Sequence, residues 1–206
     1  MEYFSYVVEH DYGLAPNPFG GYCTLAVCKP DIRKNKNLNI GDWIIGTGSQ
    51  KLKKLNHLVF AMQLEEKLTF DEYWQDKRFQ YKKPIINGSL VQMYGDNFYH
   101  RDSKTQEWIQ EKSAHSTVQK EKHLIKDTSS EIVLISQKFY YLGDQSLLIP
   151  QEFIKICKKR QGMKYKGLNE VGTKVITWLS QNSKNGISGD PINWKEYDHK
   201  QIKLPI

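Results

Sequence analysis

Gly41-Asp42-Trp43-Ile44-Ile45-Gly46-Thr47-Gly48-Ser49 turns the chain and sends it into a strand that ends in small residues. Upstream, Tyr22-Cys23-Thr24-Leu25-Ala26-Val27-Cys28 has the make-up of a buried strand. Pro30 stops that strand, and Pro30-Asp31 suits the first turn of a short helix. Between residues 10 and 21 two Pro and three Gly interrupt the chain, so a loop is expected there. Ahead of the loop, Phe4-Ser5-Tyr6-Val7-Val8 is a β-type run of aromatic and branched residues.

Further strands are expected at Leu58–Leu64, Leu90–Tyr94, Ile132–Ser136 and Lys138–Leu142. Phe98-Tyr99-His100 follows the turn Gly95-Asp96-Asn97. Gly143-Asp144 predicts a hairpin into Ser146–Ile149, and Pro150 ends the β-rich body. Thr69-Phe70-Asp71-Glu72 is a capping-box pattern, which predicts a helix from there to about Phe79. Helical spacing then covers Glu152–Lys159, and a second helix is expected from an Asn169 cap to about Gln181. The expected fold class is α+β: a small mixed β-barrel or strongly bent sheet with short helices and a basic C-terminal helical segment. Residues 1–150 would form the β-barrel domain, with 151–206 a basic extension packed on it.

The chain has 206 residues, 39% hydrophobic and 26% charged, with five Trp, twelve Tyr and eight Phe. That aromatic content supplies a core and excludes disorder. No apolar run is long enough for a membrane span. Three Cys without metal-finger spacing are expected to be free thiols in a cytoplasmic chain.

The net charge of +7 is uneven. Residues 1–150 carry 19 Lys+Arg against 18 Asp+Glu, a net of +1, whereas 151–206 carry 11 against 5, a net of +6. The densest stretch holds Lys155, Lys158, Lys159, Arg160, Lys164 and Lys166, which suits a phosphate-rich partner such as nucleic acid. A solvated lysine-rich helix face accounts for the same residues.

Phosphate-loop, dinucleotide-fold, zinc-protease, nucleophile-elbow and deaminase signatures are all missing. The six His show no ligand spacing to Cys or carboxylate, so neither a metal nor another cofactor is expected. The Asp11–Arg33 segment gathers Asp11, Asn17, Lys29, Asp31 and Arg33 around one strand. Lys29 and Arg33 beside the helix start at Asp31 suit an anion, and a salt bridge pinning the loop suits them equally. Gly46, Gly48 and Ser49 leave room for a ligand or for a tight strand crossing. Tyr12, Phe19, Trp43, Tyr94, Phe98 and Tyr99 lie near loops or strand ends, where a ring can stack on a base. His100 sits in the same neighbourhood and completes the candidate ligand contacts.

Asp11-x-Gly13-x-Ala15-Pro16-Asn17-Pro18, then Leu25-Ala26-x-Cys28-Lys29-Pro30-x-Ile32-Arg33 and Gly41-Asp42-Trp43-Ile44, resembles the nucleotide-modification-associated domain family, second type. The order of elements, with Gly-Asp before a strand and a small residue after it, also resembles the PUA-like superfamily and its EVE and ASCH domains. The first resemblance implies a place in nucleotide-modification or anti-phage defence systems. The second implies a base or nucleotide held in a cleft beside a barrel by stacking and edge hydrogen bonds. On that basis the Asp11–Asn17 loop would give edge contacts, Trp43 or Tyr94 would stack, and Lys29 and Arg33 would meet phosphate. A clear EVE aromatic cage is missing. Three readings stay open: a module binding a modified base, nucleotide or nucleic acid; an enzyme on such a ligand, with Asp11 as general base and Lys29 and Arg33 stabilising developing charge; and an interaction scaffold or regulator of a neighbouring enzyme.

Overall fold

In a computed structural model the chain is described over residues 1–116, 120–158 and 162–197. The elements in chain order are β1 (Tyr3–Val8), β2 (Cys23–Leu25), α1 (Pro30–Arg33), β3 (Trp43–Gly48), β4 (His57–Gln63) and β5 (Glu66–Thr69). α2 (Phe70–Gln75), α3 (Leu90–Met93), β6 (Tyr99–Arg101), β7 (Trp108–Gln110), α4 (Lys120–Thr128), β8 (Ile132–Ser136) and β9 (Phe139–Tyr141) follow. The chain continues through β10 (Leu147–Leu148), β11 (Met163–Lys164), α5 (Asn169–Asn182) and β12 (Gly186–Ile187).

A seven-stranded sheet has the order β11-β1-β3-β4-β9-β12, with β10 also paired to β4. β1 and β3 are parallel and buried along their whole length, and the crossover between them contains β2 and α1. β2, β8 and β5 form a separate three-stranded sheet, and β6 with β7 a two-stranded one. Strand alternation sorts the core into layers. Phe4, Tyr6, Val8, Ile44, Phe60 and Met62 pack with Leu25 and Leu134 in the first core. Tyr3, Trp43, Ile45 and Ala61 pack with Val175 and Leu179 of α5 in the second. Val133 and Ile135 of β8 turn the other way and meet Phe70, Tyr73, Phe79 and Phe98 in the third.

Three glycines permit the close approaches. Opposite Gly46 and Thr47 the β4 partner steps from Phe60 to Leu58, so Val59 is the extra residue of a β-bulge. A Cβ on Gly46 would lie 2.2 Å from the Phe60 ring, and one on Gly48 would lie 2.3 Å from the Lys54 carbonyl oxygen. These glycines therefore serve strand packing, the tight crossing weighed for them in the sequence. On the other face, a Cβ on Gly172 would lie 2.2 Å from the Tyr3 ring, so that glycine lets α5 lie directly on β1.

The small barrel expected from the short, closely spaced strands and from the PUA-like resemblance does not form among the described residues. The large sheet ends on two-residue strands at both edges, and β2 leaves it to pair with β8 instead. The architecture is α+β with mixed sheets and short helices. The basic segment also differs from the expected helix: residues Gln151–Ile156 form a 3-10 turn, and Met163–Lys164 joins β1 as an edge strand. β9 and β10 do not form a hairpin with each other, because both pair with β4. Leu90–Met93 is a helix rather than a strand, started by a Ser89–Gln92 capping box. The expected Thr69–Glu72 capping box is present, although α2 ends at Gln75 and a 3-10 turn runs on from Lys77 to Lys82.

Candidate functional site

A cleft of about 590 Å³ opens where five segments meet. The chain leaving β1 supplies Glu9, His10 and Tyr12, and the entry to α1 supplies Cys28, Lys29 and Asp31. His115, Lys126 of α4 and Gly162 close the remaining sides. Cys28 and Lys29 both have left-handed backbone, with φ of 56° and 42°. The strand β2 thus turns sharply into Pro30 and presents Cys28 to the cleft.

Behind the floor, Asp127 is 1% exposed and accepts a hydrogen bond on each carboxylate oxygen. Its Oδ1 accepts the Cys28 backbone N–H at 2.8 Å, and its Oδ2 accepts the Tyr99 hydroxyl at 3.2 Å. The same Oδ2 lies 3.3 Å from His115 Nε2, and Cys28 Sγ lies 4.0 Å from that nitrogen. Burial alone would lower the His115 pKa, but the Asp127 and Cys28 contacts outweigh it and raise the pKa to about 10. The His115 ring stacks on His123 at 4.2 Å between centroids, and His123 Nδ1 lies 2.8 Å from the His115 carbonyl oxygen.

The cleft wall is aromatic. Tyr12 stacks on Tyr94 at 5.1 Å and on His10 at 6.2 Å between ring centroids. Lys29 Nζ donates to the Val7 carbonyl at 3.0 Å and sits 4.8 Å above the Tyr6 ring. Burial pulls the Lys29 ammonium below the ordinary lysine range.

The other residues singled out in the sequence are dispersed. Asp11 is buried, and its Oδ1 accepts the Tyr141 hydroxyl at 2.5 Å while its Oδ2 accepts the Ile192 N–H at 3.1 Å. Burial raises the Asp11 pKa against the pull of these donors. Asn17 donates to the Tyr94 carbonyl and accepts from Lys82 Nζ at 2.6 Å, so it holds the loop to the body. Arg33 is buried and donates to the carbonyls of Cys28, Asp127, Ser130 and Ile132. Asp11, Lys29 and Arg33 therefore point in three different directions.

Trp43 packs in the core under α5, stacked on Tyr140. Ser49 accepts the Leu52 N–H, and Tyr94 Oη meets Tyr197 Oη at 2.5 Å behind the aromatic wall. His100 stacks on Trp74 at 4.1 Å and pairs with Glu111, on the β6–β7 hairpin. Of the predicted ligand contacts, Lys29 and Asp31 line the cleft, and Tyr94 supports its wall.

The basic residues split in the same way. Lys155 and Lys166 are exposed, and Lys164 Nζ donates to the Lys155 carbonyl at 2.9 Å. Lys158 Nζ lies 3.5 Å from where a Cβ on Gly162 would stand, at the cleft edge. Lys159 and Arg160 lie outside the described residues. His115, Lys126 and Asp127 were not singled out as cleft residues from the sequence. Cys28 and His115 are 87 positions apart, and no local spacing links them.

Comparison with curated proteins and with solved structures gives no match. The family model described as nucleotide modification associated domain 2 matches residues 1–198, which includes all of the described C-terminal segment as well as the front of the chain. The chain belongs to the nucleotide modification associated domain 2 family.

Proposed function

We propose that this chain binds a nucleotide or modified base in the cleft, as the recognition component of a nucleotide-modification system. The family membership supports the ligand class. The carrying observation is that Lys29 and Lys126 share one cleft with the Tyr12 ring. The cleft volume falls within the range that takes a small ligand. The ammonium groups meet phosphate, the Tyr12 side offers an aromatic surface to a base, and Asp31 and His115 offer polar edges. Lys158 at the rim extends the positive surface toward a longer strand. The alternative of an enzyme with Asp11 as general base has less support, because both Asp11 oxygens already accept hydrogen bonds away from the cleft lining.

The test is calorimetric titration of the full chain with nucleoside monophosphates, ordinary and base-modified. The double variant Lys29→Met/Lys126→Ala is expected to bind about tenfold or more weakly, and the parent's affinity is expected to fall as salt rises. Equal affinity in parent and variant, or affinity indifferent to salt, contradicts the proposal.

A further inference from the structure

We propose that Cys28, His115 and Asp127 form a binding site for a divalent, borderline-soft cation of the zinc type at the floor of the cleft. Their donor atoms, one sulfur, one imidazole nitrogen and one carboxylate oxygen, all lie within 4.8 Å of one another. Tetrahedral zinc places such donors about 3.3–3.6 Å apart. The oxygen–nitrogen pair stands at 3.3 Å, and the sulfur at 4.0 Å from the nitrogen. The sulfur has to close by about half an ångström on the nitrogen, and by at most about 1.3 Å on the carboxylate oxygen, to reach that geometry.

Two features separate this arrangement from a nucleophile and its base. In a Cys–His–Asp relay the carboxylate holds the ring nitrogen remote from the sulfur. Here the sulfur and the carboxylate oxygen both lie beside His115 Nε2, so the three donor atoms are gathered in one place. The carboxylate is also held from behind, by the Cys28 backbone N–H on Oδ1 and the Tyr99 hydroxyl on Oδ2. Such outer hydrogen bonds are how metal-binding carboxylates are oriented.

The charges balance. A Cys28 thiolate and the Asp127 carboxylate neutralise a divalent ion, and ligation releases the thiol proton and any imidazole proton to solvent. Of the nearby cations, Arg33 is spent on four backbone carbonyls, Lys29 Nζ gives one donor to the Val7 carbonyl, and Lys126 lines the cleft. A mixed sulfur, nitrogen and oxygen set selects zinc over magnesium or calcium. Three protein donors leave one tetrahedral position, and the cleft is the open side because Cys28 and His115 line it. A cation there would act on a bound ligand as a Lewis acid. The site stands on its own geometry and does not depend on what else the cleft holds.

The test uses the full chain, stripped with a chelator and titrated with Co²⁺ as a spectroscopic stand-in for zinc. The expected result is one equivalent bound, with a thiolate-to-cobalt charge-transfer band and strong visible bands that excess Zn²⁺ removes. Cys28→Ser, checked for native circular dichroism, is expected to lose the charge-transfer band, while Cys157→Ser keeps it. His115→Ala is expected to lose about tenfold or more in Co²⁺ affinity, and Tyr99→Phe to lose about tenfold while keeping the stoichiometry. No stoichiometric uptake by the parent, a charge-transfer band that survives Cys28→Ser, or one that disappears with Cys157→Ser overturns the proposal.

Discussion

Two polar clusters in this molecule contain similar residue types and play opposite parts. The first lies in the body, where Lys82 Nζ donates to the Asn17 side chain, the Asn17 and Tyr22 carbonyls and Thr24 Oγ1 at 2.6–3.0 Å. Thr24 and Tyr73 hydroxyls in turn donate to the two oxygens of buried Asp96, at 2.6 and 2.7 Å. The second is the Cys28–His115–Asp127 group at the cleft. In the first cluster the polar atoms of Lys82 and Asp96 are consumed by partners within the fold. In the second, Cys28 and His115 line a cavity and their donor atoms lie close to each other and to that of Asp127. A buried, satisfied network holds the early loop against the sheet, and an open one is available to a ligand. Perturbed titration occurs in both, so it does not distinguish site from scaffold.

Breaking the comparison at Lys82 gives the largest effect. Lys82→Met leaves Asp96 buried without its cation and is expected to cost about 3–5 kcal/mol of stability, read from urea unfolding. A cost below about 1 kcal/mol would show that the network does not hold the loop. The next effect is on pH. Burial holds the Lys82 pKa down to about 8, although Asp96 and Cys23 pull it up, while the unfolded chain keeps the ordinary value of 10.5. Between those values the unfolded state carries the extra proton, so the Lys82 contribution to stability improves as pH rises from about 8. The stability gap between parent and Lys82→Met is expected to move in the parent's favour over that interval, by up to about 1.4 kcal/mol per pH unit. A gap independent of pH would place the lysine in a wetter setting. The smallest effect sharpens the other side: Cys28→Ser at the half-buried cleft floor is expected to change stability by less than about 1 kcal/mol. A loss as large as that of Lys82→Met would make Cys28 part of the scaffold.

The strands that build the layers were legible because their residues announce them. β1, β3, β4 and β8 are runs of branched and aromatic residues, and Thr69-x-x-Glu72 marks a helix start through its own hydrogen bonds. The same signal at Ser89-x-x-Gln92 identifies α3, but the apolar run Leu90–Met93 also fits a strand. Sheet closure was not legible, since nothing local tells β2 to leave the large sheet for β8.

The site was harder to read for a related reason. Arg33 has the charge of a phosphate ligand, yet four carbonyls from 28 to 132 claim it, and only the fold brings them together. Asp11 is claimed in the same way by Tyr141 and Ile192. Lys29 and Asp31 were legible because the Pro30 turn exposes them to the cleft, whereas His115 and Asp127 come from a polar stretch without a local signature.

Hydrogen–deuterium exchange of the full chain, with and without a saturating nucleoside monophosphate, tests the cleft assignment most directly. Slowed exchange is expected in peptides covering residues 9–15, 28–34 and 120–128, with Asn17 and Trp43 peptides unchanged. Protection confined to the β6–β7 hairpin around His100, or to the α5 face, would contradict it.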